Sequence, residues 1–385
     1  MRANDRAPAL SMTTAANIEP HAQDAAQPGW PRRHDRAVAC WLLLCCAMIF
    51  AMAVIGAITR LTESGLSIME WAPVRGILPP LSEAEWARLF ALYQQTPEYR
   101  ELNADMTLGA FREIFWWEYV HRLWGRLIGI VFLLPLVWFA LRRRLRPGLA
   151  PHLWAVFAIG ALQGLMGWYM VASGFAARTD VSQYRLVAHL MIACIIYVYT
   201  LWLALGLLQR PSPTNPGRNA AALRFALAAL AGLVLLTIAS GGFVAGLNAG
   251  LIYNTFPLMD GALVADGYTT LQPWALNLFE NHAAVQFNHR ALAILTLTAA
   301  IAAWIWSRRF ALPPRARTAL GLLAAMAAAQ VGLGISALLL VVPVWLGALH
   351  QAGALALLTF AVWALHGLRQ EPDRPPPKQE EATAP

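Results

Sequence analysis

Charge is scarce in this chain. Of 385 residues only 13% are Asp, Glu, Lys or Arg, against 58% hydrophobic, and mean hydropathy is +0.49. An average soluble domain carries about a quarter charged residues, so a water-soluble globule is the first class excluded. Cysteine is scarce as well. Cys40, Cys45, Cys46 and Cys194 all lie in apolar stretches and none forms a CxxC spacing. That argues against a disulfide framework and a thiolate metal site, and leaves small buried residues. Residues 248–283 contain no Lys or Arg at all. The net charge of +8 does not point to nucleic acid, because the arginines cluster between apolar segments instead of covering one soluble face.

What is present is a series of long apolar runs. A run of about 20 apolar residues spans a bilayer as a helix, and eight such runs occur, near residues 37–58, 119–141, 151–172, 186–208, 222–245, 284–306, 317–340 and 344–367. Sixteen Trp in this background suit aromatic belts at membrane interfaces. The first run is too long for a secretory signal and no small-residue cleavage site follows it, so it reads as a retained helix. Residues 1–36 and 369–385 read as disordered tails. Arg142, Arg143, Arg144 and Arg146 follow the second run. Arg210, Arg218 and Arg224 lie between the fourth and fifth, and Arg308, Arg309, Arg315 and Arg317 between the sixth and seventh. The positive-inside rule places these, with both termini, in the cytoplasm. The opposite side carries a long acid-rich loop over residues 59–118, with Glu63, Glu70, Glu83, Glu85, Glu98, Glu101, Asp105 and Glu113.

The chain repeats. Gly56, Gly65-Leu66 and Gly76 recur at a constant offset as Gly241, Gly250-Leu251 and Gly261. Glu118-Tyr119-Val120-His121-Arg122 recurs as Gln286-Phe287-Asn288-His289-Arg290, and Gln163 with Gly167 recurs as Gln330 with Gly334. Each half holds four runs, an even number, so both insert with the same orientation. The expected fold is an all-α polytopic membrane protein, N-in and C-in, with eight transmembrane helices arranged as two pseudo-symmetric four-helix bundles, residues 37–208 and 222–368.

The histidines follow the repeat. His121, His189, His289 and His350 open the second, fourth, sixth and eighth runs at the outer side, and the odd-numbered runs have no histidine at their outer ends. All four therefore lie at one depth, near the outer face. His152 and His366 fall at cytoplasmic ends and read as surface residues; His282 lies in an outer loop. Two histidines on facing helices of a bundle suit the axial positions of a haem iron, whereas zinc or copper wants three or four ligands together. Gly160, Gly164, Gly167, Gly332 and Gly334 suit either a flat macrocycle between helices or plain helix packing. Arg122, Arg126, Arg185 and Arg290 lie near the same mouths, where they suit haem propionates or interface snorkelling.

The repeat breaks at Glu118, which aligns with Gln286. A carboxylate moves protons and an amide does not. The first half is thus expected to hold the chemical site and the second an electron-transfer haem. The competing reading of Glu118 is a helix-start carboxylate favoured by the helix dipole.

The stretch Gly56-Ala57-Ile58-Thr59-Arg60-Leu61-Thr62-Glu63-Ser64-Gly65-Leu66-Ser67-Ile68-Met69-Glu70-Trp71-Ala72-Pro73-Val74-Arg75-Gly76-Ile77-Leu78-Pro79-Pro80, followed by Glu118-Tyr119-Val120-His121-Arg122-Leu123-Trp124-Gly125-Arg126, closely resembles haem A synthases, nearest to the branch shared by mitochondria and related bacteria. Phe287-Asn288-His289-Arg290 and Leu349-His350-Gln351 fit the second half, and the resemblance covers about residues 37–368. It implies an oxidoreductase that converts the C8 methyl of haem O to a formyl group, giving haem A for cytochrome oxidase. It implies haem b as cofactor and haem O as substrate. His121 with His189 map to the substrate haem, His289 with His350 to haem b, and Glu118 to the family's important acid. A bacterial cytoplasmic membrane is the expected location. Haem O synthase and oxidase assembly factors are the implied partners, and a homo-oligomer is compatible with the sequence. Some members carry Cys pairs in the outer loops; this chain has none there, which leaves a redox-thiol step unsupported. The competing functional class is a quinone-linked di-haem b cytochrome that leaves haem unmodified. A transporter with parallel repeats wants broken helices and a midplane site, and neither is evident.

Overall fold

A computed structural model of the protein describes residues 31–71, 75–175, 179–209 and 218–369. Eight helices in it are long and apolar enough to cross a membrane. They are α1 (Arg32–Leu61), α4 (Leu108–Leu141), α5 (Leu149–Gly174), α6 (Gln183–Leu208), α7 (Arg218–Gly246), α9 (His282–Ser307), α10 (Pro314–Leu339) and α11 (Val344–Gly367). Three short helices, α2 (Glu83–Tyr93), α3 (Pro97–Leu102) and α8 (Asn277–Glu280), lie in the connections. Among the described residues there is no β-strand, only one isolated bridge between Met259 and Ala262. Residues 1–30 and 370–385 of the expected tails lie outside the described residues. Residues 32–36 are helical, because α1 begins at Arg32 instead of at the first apolar residue.

The helices close into two rings of four. In the first, α1 packs on α4 and α6, and α5 packs on the same two. In the second, α7 packs on α9 and α11, and α10 packs on the same two. The rings meet along α1, α6, α7 and α11. Polar links cross this seam. Tyr197 and Thr359 share a hydroxyl hydrogen bond at 2.8 Å, and Arg60 at the end of α1 donates to Asn248 Oδ1 at 3.0 Å. The seam also buries His366, 3% exposed, with its ring 4.9 Å from that of Trp202 on α6. The surface position expected for His366 is therefore corrected. His152 and His282 are exposed. Arg146 pairs with Asp35, and this ties the end of α4 to the start of α1.

The acid-rich connection after α1 departs most from its sequence reading. It is not a loop over residues 59–118, because α4 starts at Leu108, more than two turns early, where Thr107 Oγ1 accepts from Ala110 N at 3.3 Å. The extension carries Arg112 and Glu113, so hydropathy misses it, but one face is aromatic. Phe111, Phe115 and Tyr119 are buried against Trp86 and Tyr93 of α2, with Tyr99 of α3 packed alongside. Ser82 caps α2, and Thr96 caps α3, which opens with Pro97. The result is a helical cap over the first ring. It holds Ile68 in the same aromatic cluster and accepts Tyr119 Oη on Ile77 O at 2.5 Å.

Candidate functional site

The first ring is centred on Glu118, 2% exposed and facing the turn that follows α1. It lies in the third turn of α4, so its expected place at a helix start is corrected and the helix dipole does not account for it. Its Oε2 accepts from Ser67 Oγ and from Ile68 N, both at 2.7 Å. Its Oε1 accepts from Arg122 Nη2 at 2.6 Å and Nε at 3.0 Å, one helical turn away. Arg122 also donates to Ile68 O at 2.7 Å and Glu70 O at 3.1 Å. Every donor within reach of the carboxylate is thus supplied by two segments, the helix and the turn, and each fixes the other. Glu70 in turn pairs with Arg88 at 2.8 Å, which holds its carboxyl below the usual carboxylate range.

The second ring builds the same bracket from an amide. Gln286, 3% exposed, accepts from Arg290 Nη2 at 2.8 Å. Arg290 donates to Tyr253 O at 2.7 Å and Thr255 O at 2.9 Å. Tyr253 and Thr255 stand at the same offset from Ile68 and Glu70 as Gly241 does from Gly56. The polarity at the centre is reversed, however. Gln286 Nε2 donates to Ala249 O at 2.7 Å and Ile252 O at 2.6 Å, so its turn presents carbonyls where the first presents donors.

Each of the four histidines lies on a glycine of a neighbouring helix. A Cβ added at Gly56 of α1 would stand 3.3 Å from His121 Nε2, and one at Gly167 of α5 would stand 3.0 Å from His189 Cε1. At Gly241 of α7 it would stand 3.0 Å from His289 Cε1, and at Gly334 of α10 2.9 Å from His350 Cε1. Any side chain there would push the ring away. Gly160, Gly164 and Gly332 instead face open space. His189, His289 and His350 fall seven or eight residues into their helices, about 10 Å from the N-termini at 1.5 Å per residue. His121 falls deeper into α4 because that helix starts earlier.

The rings of His289 and His350 stand 6.4 Å apart, centre to centre, at 86°. An imidazole nitrogen lies about 2 Å from a metal it ligates and about 1 Å from its own ring centre, so two axial rings on one iron have centres about 6 Å apart. The pair therefore fits a bis-histidine haem. His289 Nδ1 is held 2.8 Å from Ser240 Oγ, and His350 Nδ1 lies 3.2 Å from Gln330 Nε2. Gln330 and Gln163 both donate to the backbone carbonyl of their ring's histidine, His350 at 2.8 Å and His189 at 3.0 Å. His121 and His189 lie within electrostatic reach of each other, but His189 Nδ1 is buried without a hydrogen-bond partner. Among the described residues no three His, Cys, Asp or Glu side chains come together to hold a bare metal ion.

Known proteins share this chain along nearly its whole length. A family model described as cytochrome oxidase assembly protein matches residues 39–362. The heme A synthase of Rhodospirillum centenum is 52% identical over 360 residues, covering 93% of this chain and 94% of that one. Those of Paramagnetospirillum magneticum and Nitrosospira multiformis are 50% and 49% identical over 338 and 344 residues, covering 86% and 88% of this chain and 94% and 95% of theirs. The chain belongs to the haem A synthase family.

In this haem A synthase family member, the arginines expected near the propionates take different positions. Arg122 and Arg290 are engaged by loop carbonyls as described, while Arg185 donates to Ser173 Oγ at 2.7 Å and lies over the Tyr169 ring at 5.0 Å. Arg126 lies one turn beyond Arg122 on α4. The four cysteines are free thiols on α1 and α6, three of them buried. Two hydrogen-bonding groups of the site escaped sequence reasoning. Ser240 precedes Gly241, and its repeat counterpart is Ile55, so the offset alone marks a hydroxyl gained in one half. Ser67 lies inside the recognisable first-loop motif, but nothing in its neighbours marks it as the donor to Glu118.

Proposed function

We propose that this protein is a haem A synthase that oxidises the C8 methyl group of haem O to a formyl group, giving haem A for cytochrome oxidase. Haem O binds in the first ring between His121 and His189, and haem b in the second between His289 and His350. One observation carries this division: only the first ring buries a carboxylate one turn before its histidine. Haem b, when bound, supplies a one-electron carrier. The residues of this chain do the rest. His121 and His189 orient the substrate, Glu118 takes up or delivers protons at its Oε atoms, and Arg122 with Ser67 holds that carboxylate in place. The glycines at Gly56 and Gly167 let both imidazoles lie close to the backbone of the neighbouring helix.

The second ring is built to keep its haem. The Nδ1 contact from Ser240 fixes the orientation of His289, as outer-shell partners of metal-bound histidines do. His189 lacks such a tether, which suits a site whose occupant must leave as product. The arginine clusters at the ends of α4 and α9 support a cytoplasmic position for both termini, in a bacterial cytoplasmic membrane. The haem sites then lie near the outer face, with haem O delivered through the bilayer by the enzyme that makes it. The test is to purify the protein, extract its haems and identify them by mass, with and without a supply of haem O. Haem O and haem A beside haem b are expected. Haem b alone, with haem O supplied, would sink the assignment and fit a di-haem electron-transfer cytochrome.

A further inference from the structure

The cap over the first ring buries a second carboxylate. Glu98, in the single turn and a half of α3, is 5% exposed, and its Oε2 has no hydrogen-bond partner. A buried, unpartnered carboxylate is costly to charge. Burial is the main cause that pushes its pKa up to about 8, and the nearby carboxylate of Glu118 is the next, followed by Glu63; Arg60 acts the other way and Asp180 adds to the rise. These are the charged groups that face it, from α4, from the end of α1, from the turn beyond it and from the connection ahead of α6. Tyr93 of α2 feels the same carboxylate, and with burial this raises its hydroxyl. The turn after α1 is polar. Ser64 and Ser67 are buried at 0% and 2% exposure, and Thr62 and Ser64 share a hydroxyl hydrogen bond at 2.7 Å. Tyr99, adjacent to Glu98, packs in the same aromatic cluster as Ile68, whose N–H donates to Glu118. The residue beside Glu98 and the residue that donates to Glu118 thus pack in one cluster.

We propose that Glu98 is the relay acid for Glu118, exchanging one proton between the first-ring site and the aqueous phase above the cap. Two neighbouring carboxylates resist ionising together. Glu118 accepts four hydrogen bonds and Glu98 Oε2 accepts none, so the relay places the resting proton on Glu98. When Glu118 gains a proton from the reaction, the repulsion that kept Glu98 neutral falls, and Glu98 releases its proton to the loop side. Glu118–COOH then passes its proton to Glu98–COO−, restoring Glu118–COO− and Glu98–COOH. No bond other than O–H breaks or forms, and no electron moves. Glu98 makes no contact with substrate and acts only through Glu118.

The inference rests on haem O oxidation at the first ring, and the test separates the two. Wild-type protein, Glu98→Gln and Glu98→Asp are assayed in membranes for haem A formation from supplied haem O across pH, and the purified full-length proteins are titrated by infrared difference spectroscopy. Wild type is expected to show the carbonyl band of a protonated carboxylic acid that disappears near pH 8, with a limb in the rate profile at the same pH. Glu98→Gln is expected to lose the band and the limb and to form haem A about 10²-fold more slowly. Glu98→Asp is expected to recover part of the rate with the limb displaced. A Glu98→Gln protein with wild-type rate and pH profile, or one that keeps the titrating band, overturns the proposal. If wild type formed no haem A, the functional reading would fail while the band still reported on Glu98.

Discussion

The two rings build the same bracket around different central residues. In both, an arginine one turn after the key residue brackets the turn that follows the first helix, and in both that turn passes through a left-handed residue, Glu63 at φ 53° or Asn248 at φ 54°. In both, glycines on neighbouring helices, α1 and α5 or α7 and α10, seat the imidazoles. The first ring then has a carboxylate fed by donors where the second has an amide feeding carbonyls. The second has Ser240 behind its first histidine where the first has Ile55. One ring gains an ionisable group and leaves a histidine untethered; the other gives up the charge and pins its ligand. This is the difference on which the proposed division of labour rests, and it can be tested from either side.

The largest effects are expected at the histidines, and they should differ by ring. His121→Ala should abolish haem A formation while the purified protein keeps the reduced-minus-oxidised spectrum of haem b. His289→Ala should lose that spectrum. If His121→Ala also lost the haem b spectrum in a folded protein, or if a folded His289→Ala kept it, the assignment of one haem to each ring would be wrong.

Exchanging the central residues comes next. Glu118→Gln should lower haem A formation by about 10²–10⁴-fold, the range for removing a general acid or base. Its stability should fall as well, because the amide would turn an N–H toward the Ile68 N–H where the carboxylate accepts. Gln286→Glu should cost stability and spare activity. A carboxylate there would face Ala249 O and Ile252 O, two acceptors with no proton to offer, and would cost about 1–3 kcal/mol or more. A lowered thermal midpoint with haem A formation retained at a tenth of wild type or better is the expected reading. Unchanged haem A in Glu118→Gln would remove the proton role of Glu118.

Much of this was legible in the sequence, for a physical reason. Membrane helices must be long and apolar, so hydropathy found all eight, and His189, His289 and His350 sit at the depth their spacing indicated. The start of α4 was not legible, because residues 108–118 carry charge and form a helix only through aromatic partners on α2 and α3, contacts made across the chain. Glu98 is one of eight acids in a connection that reads as solvated; its burial depends on how α3 docks. His366 looked like a helix-end surface residue until the seam between α6 and α11 covered it. The Gln286 turn illustrates the same limit: the alignment shows an amide opposite a carboxylate, but not that the surrounding backbone has reversed its polarity to match.

The smallest expected effect tests the tether. Ser240→Ala removes the one side-chain oxygen among the described residues held against His289 Nδ1 and leaves the glycine seat and Nε2 untouched. Loss of such an outer-shell partner lowers metal-group affinity by about 10–100-fold. Purified Ser240→Ala should therefore lose haem b faster to an acceptor such as apo-myoglobin, with haem A formation falling only as far as haem b occupancy falls. The reverse change, Ile55→Ser, offers the first ring the same hydroxyl. It should raise the share of purified protein that retains haem between His121 and His189 and slow its release, because a ligand pinned in one orientation suits holding more than exchange. If Ser240→Ala releases haem b at the wild-type rate, the second ring keeps its haem by the glycine-seated histidine pair alone, and the contrast between the rings reduces to Glu118.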